Sequence, residues 1–146
     1  MTKQTHYSSL ESMYLAAPIN QYYQPVIQVN EGQAKITINL KESMHHSAGM
    51  VHGSVYFKML DDAAFFAANS LEDEFFVVTS SFTTYLTRPM VLGSCVAVGN
   101  VVNQSRTQWI VESVAYHQGK EVARGSGVFV RSKMKLVGAL GYNSEP

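Results

Sequence analysis

Two adjacent carboxylates, Asp61 and Asp62, are the residues of this sequence best suited to acid or base chemistry. They lie in residues 54–69, a run without Gly or Pro that predicts a long helix. Neighbouring helical residues point about 100° apart, so the two carboxylates cannot share one face. Lys58 precedes Asp62 by four residues, which is the spacing of a weak ion pair on a solvated helix face. We therefore expect Asp62 to be structural.

Asp61 has a different setting on the same helix. Phe57 lies one turn before it and Phe65 one turn after it, so its stripe of the helix is apolar apart from the carboxylate. Such an acid is costly to bury unless it is hydrogen-bonded or used in a reaction. The pattern leaves two interpretations open: a structural carboxylate, and a general base or nucleophile.

The segment that enters the helix, residues 49–53, ends in His52 and Gly53 and forms a flexible glycine turn. Ser54 is the predicted N-cap. The free N–H groups and positive dipole end of a helix N-terminus can hold a developing negative charge. Hydrolysis of an acyl group needs a carboxylate that attacks or activates water and donors that stabilise the tetrahedral oxyanion. Both parts are available in this region.

The elements around this helix predict an α+β architecture. An amphipathic helix is expected over about residues 7–17, with Ser8 or Ser9 as its N-cap, and a β-hairpin over residues 26–40. A polar loop precedes the long helix, and four strands follow it, at residues 75–87, 95–102, 107–116 and 121–131. Their short connections favour an antiparallel meander.

The long helix must bury its apolar face against one sheet of about six strands. Three glycines inside the predicted strands, Gly99, Gly125 and Gly127, indicate positions where a backbone, a helix or a ligand comes close. The whole chain, residues 1–146, is expected to form a single domain whose tail, residues 132–146, is loosely ordered.

Composition narrows the class of protein. Lys plus Arg and Asp plus Glu both number 11 in 146 residues, so no net charge attracts nucleic acid. Only 15% of residues are charged while 46% are apolar, which indicates that another subunit covers part of the surface. Cys95 is the only cysteine, which excludes an intrachain disulfide and fits a reducing compartment. No stretch has the length of a membrane span, and we expect a cytoplasmic protein.

Residues 49–70 resemble the hotdog-fold acyl-CoA thioesterases of the phenylacetyl-CoA thioesterase (PaaI) type, within the 4-hydroxybenzoyl-CoA thioesterase superfamily. His52-Gly53-Ser54 stands where the family has His-Gly-Gly, and Asp61 follows at the family spacing. Residues 84–89, Thr-Tyr-Leu-Thr-Arg-Pro, are similar to the family's strand that ends in Tyr-Leu-Arg-Pro. The resemblance implies a hotdog fold, in which a curved antiparallel sheet of about six strands wraps around one long central helix.

The resemblance also implies roles for individual residues. Asp61 would be the nucleophile or general base, the Gly53 N–H would polarise the thioester carbonyl, and His52 would orient the loop. A hydroxyl on the strand after the helix, Thr79 or Ser80, would help to hold the attacking water. The carboxylate and the oxyanion donor would come from different subunits of a dimer or tetramer.

Two positions depart from the family pattern. Ser54 replaces the second glycine and adds a side chain close to the carbonyl site, and His46 stands where these enzymes often carry an Asn that positions water. The substrate would be an acyl-CoA, with Arg88 and Arg131 as the best candidates to meet its phosphates. No cofactor is expected beyond the coenzyme A of the substrate itself.

Three alternatives compete with hydrolysis. His45, His46 and His52 invite a metal site, but their spacing matches no helical His pair, so we expect no metal. A non-catalytic acyl-CoA or acyl-ligand binding protein would use the apolar helix stripe as a pocket without productive water. A hotdog hydratase or dehydratase would pair Asp61 with a histidine, His46 or His52.

Overall fold

A computed structural model describes residues 1–142, in which an antiparallel sheet wraps around one long helix. The helices are α1 (Lys3–Ala16), α2 (Asn20–Tyr23) and α3 (Gly53–Asn69), and a 3₁₀ turn spans Glu42–Met44. The strands are β1 (Val26–Asn30), β2 (Gln33–Leu40), β3 (Phe75–Leu86), β4 (Gly93–Gln104), β5 (Gln108–His117) and β6 (Lys120–Lys135). The expected α+β architecture with six strands and one long helix is confirmed.

The order of the strands differs from a simple meander. The sheet runs β1-β2-β4-β5-β6-β3, and every neighbouring pair is antiparallel. The meander prediction is right for β4, β5 and β6 but wrong for β3, which pairs with β6 at the far edge of the sheet. The reason is the helix: α3 is about 26 Å long at helical rise, so it carries the chain across the sheet before β3 begins.

Helix α3 begins one residue earlier than predicted, and Ser54 is not its N-cap. His52 takes that place, with an extended backbone and a ring Nδ1 that accepts the Ser54 N–H at 3.0 Å. The apolar face of the helix lies on the sheet, with fully buried side chains at Met59, Leu60, Ala63, Ala64 and Ala67. Burial of this face, more than helix propensity, fixes α3 in place.

The backbone of α3 comes very near the sheet at Gly99 on β4. A Cβ built on Gly99 would lie 2.5 Å from the carbonyl oxygen of Ala63, so only glycine allows the helix backbone to come this near. Beside this contact the Ser113 hydroxyl donates to the Leu60 carbonyl at 2.8 Å. The sequence prediction that Gly99 marks a close approach is confirmed, and the approaching group is a helix backbone.

The two ends of the described chain are more ordered than expected. Helix α1 begins at Lys3 and is capped by the side chain of Thr2, so the predicted start near residue 7 and caps at Ser8 or Ser9 are wrong. In the tail, β6 continues to Lys135, and a buried Tyr142 hydrogen-bonds His6 at 2.8 Å. The expected loose tail is therefore wrong for residues 132–142; the rest of that prediction lies outside the described residues.

Within residues 1–142, no helix is long and apolar enough to cross a membrane.

We expect Gly99→Ala to lower the free energy of unfolding by about 1–3 kcal/mol. The new methyl group would overlap the backbone of Ala63, which cannot move aside as a flexible side chain can. Urea unfolding of the variant beside wild type measures this. Asn100→Ala, an exposed neighbour on the same strand, is the matched control and is expected to be nearly neutral. An unchanged Gly99→Ala midpoint would contradict the close contact.

Candidate active site

Asp61 lies on the face of α3 that meets β3, and it has a single polar partner. The Thr79 hydroxyl donates to Asp61 Oδ1 at 2.9 Å, and no other side chain in residues 1–142 hydrogen-bonds this carboxylate. Burial raises the pKa of the Asp61 carboxyl, and the hydrogen bond from Thr79 offsets part of that rise. The carboxylate is thus partly desolvated, oriented and still able to accept a proton.

Asp62 is satisfied on another side of the helix. Its Oδ2 receives the Lys58 ammonium and the Tyr14 hydroxyl, each at 2.7 Å, and the Lys58 and Asp62 side chains are only 12% and 20% exposed. The predicted ion pair with Lys58 is confirmed, but the predicted solvated face is wrong because α1 packs over it through Tyr14. Burial raises the pKa of the Tyr14 hydroxyl, and the neighbouring Asp62 carboxylate raises it further. Asp62 therefore holds α1 on α3.

A β-bulge decides which hydroxyl reaches Asp61. Thr79 pairs with Phe129 and Ser81 with Val128, so Ser80 is an extra residue in β3. The bulge lets Thr79 and Phe82, three residues apart, both face α3. Of the two hydroxyls that the sequence left open, the structure brings Thr79 to Asp61 and leaves Ser80 exposed at the bulge.

Aromatic rings form the apolar surroundings of Asp61. The Phe57 ring meets the Phe82 ring edge-to-face at 5.7 Å between centroids, and the Phe65 and Phe82 rings both approach Phe129 at 6.4 Å. Phe57 and Phe65 lie one helical turn before and after Asp61, so apolar rings flank this half-buried carboxylate along the helix. Sequence reasoning identified Phe57 and Phe65 but missed Phe82, whose only signal is the pair of glycines opposite it on β6.

A second group of predicted residues meets at the N-terminus of α3. A cavity of about 340 Å³ is lined by residues that include His46, Gly53, Tyr56, Leu86 and Arg88. No acceptor in the described chain pairs with the Gly53 N–H, so this donor stays available. Tyr56 fixes the rim by donating from its hydroxyl to the Arg88 carbonyl at 2.9 Å. The cavity combines one free backbone donor, one imidazole and one guanidinium.

His52 and Ser54 support this end of the helix from the other side. His52 Nδ1 lies 2.8 Å from the Ser54 hydroxyl as well as accepting the Ser54 N–H, and the backbone N–H of His52 donates to the Met44 carbonyl at 2.9 Å. Both side chains line a different depression, with Tyr22 and Tyr23, rather than the cavity at Gly53. His52 thus ties the loop to the helix, and the Ser54 side chain points away from the cavity.

Arg131 lies neither beside Asp61 nor at the cavity that contains Gly53. Its Nε donates to Glu72 Oε1 at 2.7 Å and its Nη2 to the Arg106 carbonyl at 3.1 Å. Glu72 follows the C-terminal end of α3, so Arg131 lies at the opposite end of the helix from Gly53. Its guanidinium has a structural partner in this chain.

The histidines do not converge on a metal site. His45 Nε2 contacts the Val91 carbonyl at 2.6 Å, and His46 Nδ1 accepts the Ala48 N–H at 3.1 Å. Across the described part of the chain, no three His, Cys, Asp or Glu side chains are grouped to hold a metal ion.

Within a single chain, the Asp61 carboxylate and the cavity at Gly53 are separated along α3. Asp61 lies eight residues beyond Gly53 on a straight helix, which separates their backbones by about 12 Å. A carbonyl carbon and its own oxygen are about 1.2 Å apart. The Asp61 carboxylate and the Gly53 N–H of the same chain therefore cannot act on the same carbonyl group.

The chain resembles known proteins in sequence family and in fold. A family model described as the thioesterase superfamily matches residues 48–123, more than half of the chain. The PaaI protein from the phenylacetic acid degradation operon of E. coli is 22% identical, with a TM-score of 0.83 over 92% of this chain and 99% of that one. No curated protein matches the chain.

Two further solved structures show the same fold. A variant of the phenylacetic acid degradation protein PaaI from Thermus thermophilus is 22% identical, with a TM-score of 0.73 over 80% of this chain and 100% of that one. A conserved protein from Pseudomonas aeruginosa is 22% identical, with a TM-score of 0.74 over 80% of this chain and 94% of that one. The hotdog fold implied by the motif resemblance is confirmed.

The different settings of the two carboxylates predict opposite effects on stability. The pKa of Asp61 is higher in the folded chain than in the unfolded chain, so protonation favours folding and this contribution is lost as the pH rises through the folded pKa. At pH 7 we expect Asp61→Asn to be at least as stable as wild type. Its advantage should shrink as the pH falls towards the ordinary Asp pKa of about 3.9.

Asp62→Asn is the matched control for this prediction. It leaves Lys58 without its anionic partner in a half-buried site, so we expect a loss of about 1–2 kcal/mol at pH 7. Urea unfolding of the two variants between pH 7 and about pH 4 measures both effects. The reverse ranking at pH 7 would show that Asp61 is the structural carboxylate.

Proposed function

The chain belongs to the thioesterase superfamily, and from that premise we propose that it hydrolyses acyl-CoA thioesters to a free acid and coenzyme A. The observation that carries the proposal is the Asp61 carboxylate, which is partly buried, has a raised pKa and is held by a single hydroxyl. Family membership supports thioester hydrolysis in general. The acyl-CoA substrate and the residue roles below are the proposal.

Asp61 supplies the base or the nucleophile. Its free oxygen attacks the thioester carbonyl, or it removes the proton of a water that attacks in its place. Thr79 keeps the carboxylate in one orientation and leaves the second oxygen for the reaction. In the general-base route the tetrahedral intermediate collapses, the C–S bond breaks, and the thiolate of coenzyme A takes the proton that Asp61 removed from water. In the nucleophilic route the thiolate leaves and takes its proton from solvent, and a water molecule then hydrolyses the mixed anhydride on Asp61 to release the free acid and restore the carboxylate.

The Gly53 N–H supplies the oxyanion donor. It is an unpaired donor at the positive end of a long helix, so it stabilises the negative charge that develops on the carbonyl oxygen. His46 lies on the same cavity and is suited to hold water, in place of the Asn that is usual at this position in the family. His52 holds the loop rather than the substrate.

Self-association completes the site in this proposal. Because one chain separates Asp61 from Gly53 by about 12 Å, Asp61 of one subunit works with Gly53 of its partner. Strand β3 lies at an open edge of the sheet and exposes apolar side chains, among them Tyr85 and Leu86. A dimer, or a tetramer of two dimers, would cover this edge.

Arg88 binds the phosphates of coenzyme A. Its guanidinium is exposed on the rim of the Gly53 cavity and has no hydrogen-bond partner among residues 1–142. Arg131 is left out because Glu72 neutralises it. The reaction needs no cofactor or metal, since water and these residues supply every part. We assign it to the cytoplasm, where the lone Cys95 stays reduced.

Asp61→Asn should lower kcat at least about 10²-fold, because it removes the base or nucleophile while the amide still fits beside Thr79. Release of free thiol from short, medium, long-chain and aromatic acyl-CoAs measures turnover, and light scattering confirms assembly. An assembled variant with wild-type turnover would contradict the role of Asp61. Binding without thiol release by wild type would favour an acyl-ligand binding protein, and hydration of an enoyl thioester a hydratase.

The pH profile tests the role of Thr79 through the same carboxylate. The pKa of Asp61 is raised by burial, so the acid limb of kcat/KM should lie above the ordinary carboxyl range. Thr79→Val removes the hydrogen bond that lowers this pKa, and the limb should move to higher pH. Thr79→Ser keeps the hydroxyl and should leave the limb near its wild-type position. Identical profiles for all three would contradict this role.

Gly53→Pro removes the proposed oxyanion donor and should lower kcat about 10²–10³-fold. Proline suits the first position of a helix, and the extended His52 is compatible with a following proline. Gly53→Ala is the matched control: it adds a Cβ 3.2 Å from a flexible Leu86 methyl but keeps the N–H. Equal activity of the two variants would contradict the donor role.

Mixing the two inactive variants tests whether the site spans two subunits. A mixed dimer of Asp61→Asn and Gly53→Pro chains has one site with both intact residues if they come from different subunits. Refolding the variants together should then restore part of the activity that neither shows alone. No recovery in a confirmed mixed dimer would contradict a site shared by Asp61 of one subunit and Gly53 of its partner.

A further inference from the structure

The Phe82 ring lies over two glycines of β6 and fills a slot. Gly125 and Gly127 are the strand partners of Thr84 and Phe82, and a Cβ built on either glycine would overlap the Phe82 ring. The floor of the slot is therefore backbone alone. Its walls include the Phe57 and Phe129 rings, which contact Phe82 edge-to-face.

This slot is next to the reactive carboxylate. Phe57 precedes Asp61 by one helical turn, and the bulge at Ser80 places Phe82 on the same face of β3 as Thr79, which hydrogen-bonds Asp61. Phe57 is 43% exposed and Phe82 is partly exposed, so together they present an apolar surface beside Asp61. An acyl chain bonded to a carbonyl at Asp61 would leave water by lying against this pair.

We propose that Phe82 sets the upper size limit of the acyl group, so that this protein selects thioesters of compact acids over those of long straight-chain acids. The proposal rests on the proposed function for its ligand, an acyl thioester. In the native chain the slot is occupied and the acyl group ends at the Phe57–Phe82 pair. Without the Phe82 ring, the glycine floor offers no side chain to refill the space.

Because the floor of the slot is backbone, the size limit depends on the single residue Phe82. A gap left by a large-to-small substitution closes when neighbouring side chains can collapse into it. Gly125 and Gly127 have no side chain to move, and their backbones are fixed by pairing with β3 and β5. Phe82→Ala should therefore open a channel that admits extra methylenes of an acyl chain.

The experiment measures binding of non-hydrolysable S-butyl-, S-octyl- and S-dodecyl-CoA thioethers to the assembled protein by calorimetry, with thiol release from the matching thioesters in parallel. For wild type we expect affinity to level off beyond the short chain. For Phe82→Ala we expect the dodecyl-to-butyl affinity ratio to rise at least about tenfold, because each buried methylene is worth severalfold in affinity.

Two further variants separate the slot from general loosening. Phe82→Ala combined with Gly127→Ala places a methyl group on the floor and should reverse most of the gain for the dodecyl chain. Phe82→Leu should give a smaller gain and keeps the proposal testable if the alanine variant fails to assemble. Phe66→Leu is its matched control, since the Phe66 ring contacts Tyr14 and Phe65 but neither Phe82 nor the walls Phe57 and Phe129, and it should leave the ratio unchanged.

The outcomes distinguish this proposal from the proposed function. Length-dependent binding that shifts in Phe82→Ala supports the slot even if no thiol is released, in which case only hydrolysis fails. Thiol release with the same length dependence in wild type, Phe82→Ala and Phe82→Leu overturns the slot and leaves hydrolysis standing. A gain that Gly127→Ala does not reverse, an equal gain in Phe66→Leu, or no binding of any thioether also overturns it.

Discussion

The contact between α3 and β4 is the constraint on which the rest of the structure depends. Ala63 and Gly99 meet backbone to backbone, and the Ser113 hydroxyl holds the Leu60 carbonyl beside them. This contact sets how deep the helix lies in the sheet and, because a helix is rigid, how it is rotated. The rotation in turn aims Asp61 at β3 and Asp62 at α1, so two neighbouring carboxylates enter different surroundings.

Those surroundings divide the chemistry between the two residues. Asp62 has an ammonium and a phenol hydroxyl as partners and fastens α1 to the helix. Asp61 has one hydroxyl and a wall of phenylalanine rings, and burial raises its pKa. A carboxylate that is desolvated but not neutralised by a partner is poised to take a proton or to attack. In the proposed mechanism, α1 contributes to the site indirectly: its Tyr14 hydrogen-bonds Asp62, and Asp61 is the carboxylate left available for the reaction.

Strand β3 carries the contacts that shape both ends of the site. Its bulge at Ser80 brings Thr79 and Phe82 to the same face, and farther along, Leu86 reaches Gly53 at the helix N-terminus. The same strand is an open edge of the sheet. In the proposed mechanism, this one strand therefore orients the base, limits the space beside it, borders the oxyanion cavity and joins the subunits.

Much of this molecule follows from local sequence alone. The lack of Gly and Pro in residues 54–69, the alternation in the strands and the motif around His52, Gly53 and Asp61 predicted the elements, the fold and the family. Those signals are local because helix and strand periodicity depend on near neighbours. The position of β3, the cap at His52, the order of residues 132–142, the choice of Thr79 over Ser80 and the part played by Phe82 depended on tertiary structure. Each is set by a contact between residues distant in sequence or by a one-residue shift of strand register. Such contacts and shifts produce no periodic pattern in the amino-acid sequence.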